Sequence, residues 1–163
     1  MSWWRSRPGL RPGDPAPPFD LPDEEGARHS LARYAGRWLV VFFYPKDNTP
    51  VCVREACAFN DRWPEFQELG ADVLGCSGQN AASHLAMRAA CRLRYRLLCD
   101  ADRAMRDSWG VPHRLRLSEG RTTYVVDAQG VVRFVFDEIL AGEEHCERAL
   151  AFIRSAAAGR EAR

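Results

Sequence analysis

Lysine is almost absent from this sequence of 163 residues. Lys46 is the only lysine among the 23 basic residues, so arginine carries nearly all of the positive charge. The acidic residues number 22, which leaves a formal net charge of +1 at pH 7. Proteins that bind nucleic acids or acidic membranes through general charge attraction need a strongly basic surface. The charge balance therefore argues against both kinds of partner.

Long apolar segments are missing as well. The N-terminal stretch MSWWRSRPGLRPGD has no apolar run of the length that a signal peptide needs. The longest apolar run, residues 38–44, is far too short to cross a bilayer. We therefore expect a cytoplasmic protein. Its length suits one domain with its own core, over residues 13–157, between a flexible N-terminus at 1–12 and a C-terminal tail at 158–163.

The six cysteines include no C-x2-C pair. This absence argues against a thiol–disulfide oxidoreductase, because that class carries such a pair on its active helix. The four histidines are scattered along the chain, so the usual spacings of zinc ligands are missing too. Without a secretion signal, a framework of structural disulfides is not expected. The cysteines therefore indicate catalysis or core packing, without a metal or another cofactor.

Apolar periodicity predicts alternating strands and helices. The expected strands lie at 38–44, 71–77, 122–127 and 131–136, the last two forming a hairpin. The expected helices or helical turns lie at 30–34, 50–69, 80–91, 101–109 and 142–155. Pro64 should kink or break the helix in which it falls. Short strands joined by a turn are expected over 13–30, and a half-exposed strand or extended segment over 92–97. This order predicts an α/β domain with helices flanking a central mixed sheet.

The stretch FFYPKDNTPVCVREAC, residues 42–57, organises the predicted domain. A buried strand stops at Pro45, and a polar turn follows. Thr49 is a favourable N-cap, and Pro50 has the fixed φ that suits the first helical position. Cys52 therefore falls in the first turn of a helix. Free N–H groups and the positive end of the helix dipole lie there, and a thiol loses its proton most easily in that place.

The same stretch resembles the active-site signature of the peroxiredoxins, Pro-x3-Thr-x2-Cys, which stands here at residues 45–52. With REAC following at 54–57, it is similar to the bacterioferritin-comigratory-protein group, also called peroxiredoxin Q. Further stretches resemble that group in the same order, at 13–21, 97–100, 109–111 and 121–127. The resemblance covers roughly residues 10–155. It implies a thioredoxin-like fold with extra N-terminal strands, which agrees with the predicted order of elements.

The resemblance implies catalytic roles for three residues around the predicted helix start. Cys52 would be the peroxidatic cysteine, whose thiolate attacks the O–O bond of a peroxide. Thr49 would accept a hydrogen bond from the peroxide, and as an N-cap its hydroxyl would also accept one from an N–H of the next turn. Pro45 would shield the thiolate from water.

An arginine is implied beside the thiolate and the peroxide oxygens. Arg121, just before the strand TTYVVD, occupies the position that the family gives to this arginine. Arg133 competes for the role, because it also lies in the predicted hairpin. Glu55 matches a glutamate that holds this arginine in the family. It could also be no more than a favourable acid near the start of a helix.

Cys57 is the implied resolving cysteine, which would condense with the oxidised Cys52. In an ideal helix, Cα atoms five residues apart are separated by about 8.6 Å, whereas a disulfide needs about 4.4–6.8 Å. The two residues can therefore bond only if the first helical turns unwind. Part of the family places the resolving cysteine on the following helix, and Cys91, about one turn from that position, is the alternative. The remaining cysteines are expected to be core or surface thiols: Cys76, Cys99 and Cys146.

These features predict a thiol peroxidase that reduces hydrogen peroxide and organic hydroperoxides. Cys52 would become a sulfenic acid, Cys57 would convert it to an intramolecular disulfide, and thioredoxin or a similar dithiol would restore both. We expect a monomer or a weak homodimer. The alternative is a peroxide-sensing redox switch that uses the same cysteine with low turnover.

Overall fold

The fold is that of a computed structural model, which describes residues 9–114 and 118–161. Nine strands occur in this part of the chain: β1 Asp20–Pro22, β2 Arg28–Ser30, β3 Trp38–Phe43, β4 Ala71–Ser77, β5 Arg96–Cys99, β6 His113–Arg114, β7 Ser118–Glu119, β8 Thr122–Val126 and β9 Val132–Asp137. The α-helices in the same ranges are α1 Pro50–Asp61, α2 Trp63–Glu68, α3 Ala81–Cys91, α4 Ala104–Trp109 and α5 Glu143–Glu161. A 3-10 turn at Leu31–Tyr34 precedes β3.

The central sheet has five strands in the order β5-β4-β3-β8-β9. β3 pairs with β4 in parallel and with β8 antiparallel, so the sheet is mixed. The strands β1 and β2 form a separate antiparallel hairpin before it. The predicted α/β class is therefore confirmed, with a mixed sheet, flanking helices and extra N-terminal strands.

The sheet carries an apolar layer on each face. Alternate residues of β3 point to opposite sides, since successive side chains of a strand alternate. One side, with Val40 and Phe42, packs against α1, α2, α3 and α5. The other side, with Val41 and Phe43, packs against α4 and the N-terminal segment. Both layers exclude water, which explains why β3 reads as a continuous apolar run.

The helix predicted over 50–69 is two helices. α1 ends at Asp61, and α2 begins at Trp63. Arg62 between them has φ −93° and ψ 0°, and Pro64 stands in the first turn of α2. Proline lacks an N–H and its ring clashes with the preceding turn, so the chain breaks just before it. The expected break is confirmed, and α1 is shorter than the predicted helix.

Both ends of the domain have defined structure within the described residues. Leu10, placed in the flexible N-terminus, donates a backbone hydrogen bond to the carbonyl of Trp109. Helix α5 continues to Glu161 and so includes most of the expected tail. Residues 1–8 and 162–163, which belong to the same two predicted segments, lie outside the described residues. Within the described ranges, none of the helices has both the length and the hydrophobicity needed to span a bilayer.

Candidate active site

Cys52 lies in the first turn of α1, directly after the loop that leaves β3. Thr49 is the N-cap residue with extended backbone angles, φ −91° and ψ 149°, and Pro50 is the first helical residue. The Cys52 side chain is only 1% exposed. The strand, the loop and the helix therefore place a buried sulfur at the positive end of a helix, where a thiolate is favoured.

The predicted capping bond of Thr49 is wrong. Its hydroxyl makes no bond to an N–H of α1 and donates instead to the carbonyl of Lys46, at 3.0 Å. The hydroxyl uses its proton in this bond, and its oxygen keeps lone pairs that can accept a further hydrogen bond. The Thr49 side chain therefore closes the loop, and the N–H groups of the first turn are left to the space around Cys52. Pro45, half-buried, begins this loop.

Arg121 meets Cys52 because of the antiparallel pairing of β3 and β8. Phe43 at the end of β3 pairs with Thr122 at the start of β8, so the residue before β8 reaches the same sheet edge as the start of α1. Arg121 Nη2 donates to Cys52 Sγ at 3.0 Å, and Arg121 Nε donates to the carbonyl of Ile139 at 2.9 Å. Arg133 instead has a side chain that is 56% exposed, and it lies near Asp127.

Glu55 holds the guanidinium from the other side. Arg121 Nη1 donates to Glu55 Oε1 at 2.7 Å, and Glu55 is fully buried. Burial raises the pKa of Glu55 to about 8 and outweighs the charge and hydrogen bond of Arg121, which lower it. Burial therefore favours the protonated carboxyl, which would leave more of the guanidinium charge to the Cys52 sulfur. Of the two readings of Glu55, the geometry supports the one in which it holds the arginine.

A neutral histidine lies behind Glu55, and sequence reasoning missed it. His145 Nδ1 lies 3.6 Å from Glu55 Oε2, an oxygen for which the described residues provide no hydrogen-bond partner. Burial lowers the pKa of His145 to about 4. Its Nε2–H can donate to the carbonyl of Glu138 at 2.8 Å, while Nδ1 accepts from the hydroxyl of Thr123 at 2.9 Å. No local motif marks His145, which reaches the site only through the packing of α5.

A second buried group, also missed, fixes the loop before α1. The carboxylate of Asp47 accepts from Tyr44 at 2.6 Å and from Ser83 at 2.7 Å, and lies 2.7 Å from His84 Nδ1. Burial tends to raise the pKa of Asp47, but the hydrogen bonds from His84 and Tyr44 lower it overall. The backbone N–H of Asp47 donates to Gln79 at 3.1 Å. The loop is therefore bound to the start of α3.

Cys57 and Cys52 contact different parts of the protein. The Cys57 thiol is directed at the sulfur of Cys91, 2.7 Å away at the end of α3. Neither Cys57 nor Cys91 is placed against Cys52, whose sulfur contacts Arg121. The other three cysteines lie in or beside the core: Cys76, Cys99 and Cys146.

Metal ligands do not cluster in the described part of the chain, where no group of three or more His, Cys, Asp or Glu side chains could hold an ion. The arrangement places a buried cysteine sulfur beside a fixed cation. Such a site favours nucleophilic attack by sulfur, with guanidinium donors ready to stabilise charge on a departing oxygen.

Known sequences agree with this geometry. Residues 12–135 match the model of the AhpC/TSA family. A chloroplastic peroxiredoxin Q from Suaeda salsa is 42% identical over 144 residues, which span 88% of this chain and 67% of that protein. The chloroplastic peroxiredoxin Q from Sedum lineare is 41% identical over 144 residues, with 88% of this chain and 77% of that protein covered.

Solved structures give the same result. Peroxidoxin BcpB from Mycobacterium tuberculosis superposes with a TM-score of 0.84 at 32% identity, over 90% of this chain and 97% of that one. The bacterioferritin comigratory protein of Xanthomonas campestris, described for its alkyl peroxide reduction activity, gives a TM-score of 0.80 at 29% identity. That match covers 85% of this chain and 92% of the other.

Proposed function

This chain belongs to the AhpC/TSA family and, within it, to the peroxiredoxin Q group of thiol peroxidases, and on that premise we propose how its own residues carry out the reaction. Cys52 is the peroxidatic cysteine. The observation that carries this assignment is the 3.0 Å contact between Arg121 Nη2 and Cys52 Sγ, made in a buried position at the start of a helix. At this position a thiol, that of Cys52, lies beside a fixed cation, that of Arg121, at the N-terminus of α1.

The first step is attack of the Cys52 thiolate on one peroxide oxygen. The S–O bond forms as the O–O bond breaks, and the departing oxygen leaves as water or an alcohol once it takes up a proton. Arg121 stabilises both the thiolate and the charge that develops on the departing oxygen. Thr49 positions the peroxide through its hydroxyl, and Pro45 keeps water from the sulfur. Cys52 is left as a sulfenic acid.

Cys57 is the resolving cysteine, and resolution requires α1 to open. The two residues lie five apart in a continuous helix, so their Cα atoms are about 8.6 Å apart, beyond the range of about 4.4–6.8 Å that a disulfide accepts. The first turn unwinds, the sulfenic acid condenses with the Cys57 thiol, and water leaves. Thioredoxin or a similar dithiol then reduces the disulfide.

The substrate class is hydrogen peroxide together with organic hydroperoxides, and the alkyl peroxide reduction named for the Xanthomonas campestris protein supports the second of these. The protein works in the cytoplasm as a monomer or a weak homodimer. In support, Leu85 and Leu140 are the only large hydrophobic side chains exposed among the described residues, so this surface has no broad apolar patch.

The test is steady-state peroxide reduction coupled to a thioredoxin system. Cys52→Ser should abolish turnover, because serine supplies no thiolate, and should leave the unfolding transition unchanged. Cys99→Ser is the matched control, a cysteine outside the site whose loss should leave turnover unchanged. Retained turnover in Cys52→Ser would refute the assignment. A native protein that reacts once with peroxide and is not recycled would instead be the low-turnover sensor.

A further inference from the structure

Two cysteine sulfurs lie together away from the peroxide-reacting sulfur. Cys57, in the middle of α1, and Cys91, the last residue of α3, have their Sγ atoms 2.7 Å apart, and both side chains are half-buried. A disulfide between them would join two helices without changing the backbone of either. The reaction of Cys52 with Cys57 alone leaves this neighbour without a role.

The turn that carries Cys57 is fixed to the end of α3. The side-chain amide of Asn60 donates to the carbonyls of Cys91 and Arg92, at 3.3 and 3.1 Å, and its oxygen accepts from the backbone N–H of Arg94 at 2.9 Å. The Tyr95 hydroxyl donates to the carbonyl of Ala56 at 2.6 Å. These bonds hold the second half of α1 in place whatever the oxidation state of Cys52.

The first turn of α1 is held differently. Arg121 contacts the Cys52 sulfur in this turn, and it also holds the carboxyl of Glu55 in the next turn. Oxidation of Cys52 to a neutral sulfenic acid removes the charge that Arg121 faces, so this end is the one that is released. Cys52 must therefore travel to Cys57, and Cys57 stays beside Cys91 while the 52–57 disulfide forms.

We propose that Cys91 takes over the disulfide from Cys52, so that Cys57 and Cys91 form the final, storable oxidised pair. This step rests on the proposed function of Cys52 and Cys57. The Cys91 thiolate attacks Sγ of Cys57, the 57–91 bond forms, and the 52–57 bond breaks. The electron pair leaves on Cys52 as a thiolate, and the proton of Cys91 goes to water. The disulfide count is conserved, and no further oxidant is needed.

The exchange has a clear driving force. The 52–57 disulfide keeps the start of α1 unwound, whereas a 57–91 disulfide is compatible with the intact helix. Once Cys52 is released, the first turn can re-form and Arg121 can bind the thiolate again. The active site is thereby reset before any external dithiol arrives.

The environment of Cys91 also sets the order of the steps. Burial, followed by the hydrogen bond and charge of Cys57 and the charge of Asp61, raises the pKa of Cys91 to about 12. In the reduced protein Cys91 therefore stays protonated. A Cys57 sulfur that is bonded to Cys52 carries neither a proton nor a charge. Its hydrogen bond and its charge then no longer raise the pKa of Cys91. Burial, the largest cause, remains, so oxidation of Cys57 removes only part of the rise in the pKa of Cys91.

The test measures peroxide consumed per chain without a reductant. If the relay operates, the native protein should consume two equivalents in its rapid phase, one stored as the 57–91 disulfide and one as the sulfenic acid on the released Cys52. Cys91→Ser should consume one and stop as the 52–57 disulfide. Cys57→Ser should also consume one and stop as the sulfenic acid. Cys99→Ser, the control, should behave as the native protein.

Peptide mapping by mass spectrometry after one equivalent of peroxide identifies the bonds. A 57–91 disulfide in the native protein, absent in Cys52→Ser, supports the relay. A native protein that holds only a 52–57 or a 52–91 disulfide overturns the relay and leaves the peroxidase assignment intact. Formation of the 57–91 disulfide in Cys52→Ser as fast as in the native protein also overturns it. Rapid peroxide consumption by Cys52→Ser would instead refute the proposed function of Cys52 as the peroxidatic cysteine.

Discussion

The guanidinium of Arg121 should account for about three powers of ten in the reaction with peroxide. Two unit charges about 4 Å apart interact by about 4 kcal/mol at an effective dielectric constant near 20. Arg121 Nη2 touches Cys52 Sγ at 3.0 Å in a site that is closed to water, so this estimate suits the pair. Measured from the protonated thiol, the transition state then loses about 4 kcal/mol of stabilisation, which lowers the rate by about 10³-fold.

The variant must remove the charge without leaving a buried acid unpaired. Glu55→Gln is therefore the parent, since glutamine matches a protonated glutamate in shape and keeps an oxygen for Arg121 Nη1. Arg121→Met is then added, which preserves much of the side-chain volume and removes the cation. Comparing the double variant with its parent isolates the guanidinium, because the carboxyl is absent from both.

The assay is competition with a haem peroxidase of known rate for limiting hydrogen peroxide. The double variant should react about 10³-fold more slowly than Glu55→Gln, while urea unfolding confirms that both are folded. Arg133→Met serves as the matched control, because its side chain is 56% exposed near Asp127, and it should react at the native rate. A double variant within tenfold of its parent would refute the electrostatic reasoning, and a slow Arg133→Met would show that the wrong arginine was chosen.

Two further predictions concern neighbours of Cys52. Since burial raises the pKa of Glu55 from 4.5 to about 8, the folded state binds more protons than the unfolded state between these values. This contribution to stability is complete below pH 4.5 and is lost toward pH 8, at up to about 1.4 kcal/mol per pH unit. Urea unfolding at several pH values should show that the stability of Glu55→Gln lacks this dependence on pH. Equal dependence in the native protein and the variant would contradict the raised pKa of Glu55. A Cβ added at Gly142 would lie 2.9 Å from the carbonyl oxygen of Val51. Gly142→Ala should therefore displace the first turn of α1, lower the free energy of unfolding by about 1–3 kcal/mol and slow peroxide consumption. Gly159→Ala, the control, has open space around the added Cβ and should have none of these effects. Native stability and activity of Gly142→Ala would contradict the close packing of Gly142 on Val51.

The fold followed from local patterns wherever burial is continuous. The predicted strand 71–77 matches β4 residue for residue, and every residue of it except Asp72 is buried. The secondary structure of the segment 92–97 was harder to predict. Leu93 and Tyr95 are buried between exposed arginines as the alternation indicated, but hydrogen bonding as a strand begins only at Arg96. Alternation reports which side chains face the core and does not reveal where a neighbouring strand stops.

The residues of the candidate site that belong to sequence motifs could be predicted. Cys52, Arg121 and Glu55 come together as the resemblance implied, since β3 and β8 deliver them to one edge of the sheet. The closeness of Cys57 and Cys91, which are 34 residues apart in sequence, depends on how α1 packs on α3.

The buried histidines were not predictable for the same reason. His84 and His145 belong to no motif, and each finds its partners only through the packing of a helix against the sheet or the active-site loop. Such contacts between distant segments leave no pattern in a single sequence.

The anchors on either side of the first turn of α1 also limit how far an oxidised Cys52 can travel. Asp47 is held at one end through its carboxylate, and Ala56 is held at the other through its carbonyl. Released chain between two fixed points is a short tethered loop, and short flexible tethers give effective concentrations of about a millimolar. The sulfenic acid should therefore meet Cys57 more often than it meets a second peroxide until peroxide itself approaches that concentration. If Cys57 resolves Cys52 as proposed, we expect the spacing of these two hydrogen-bonded anchors to suppress irreversible oxidation to the sulfinic acid.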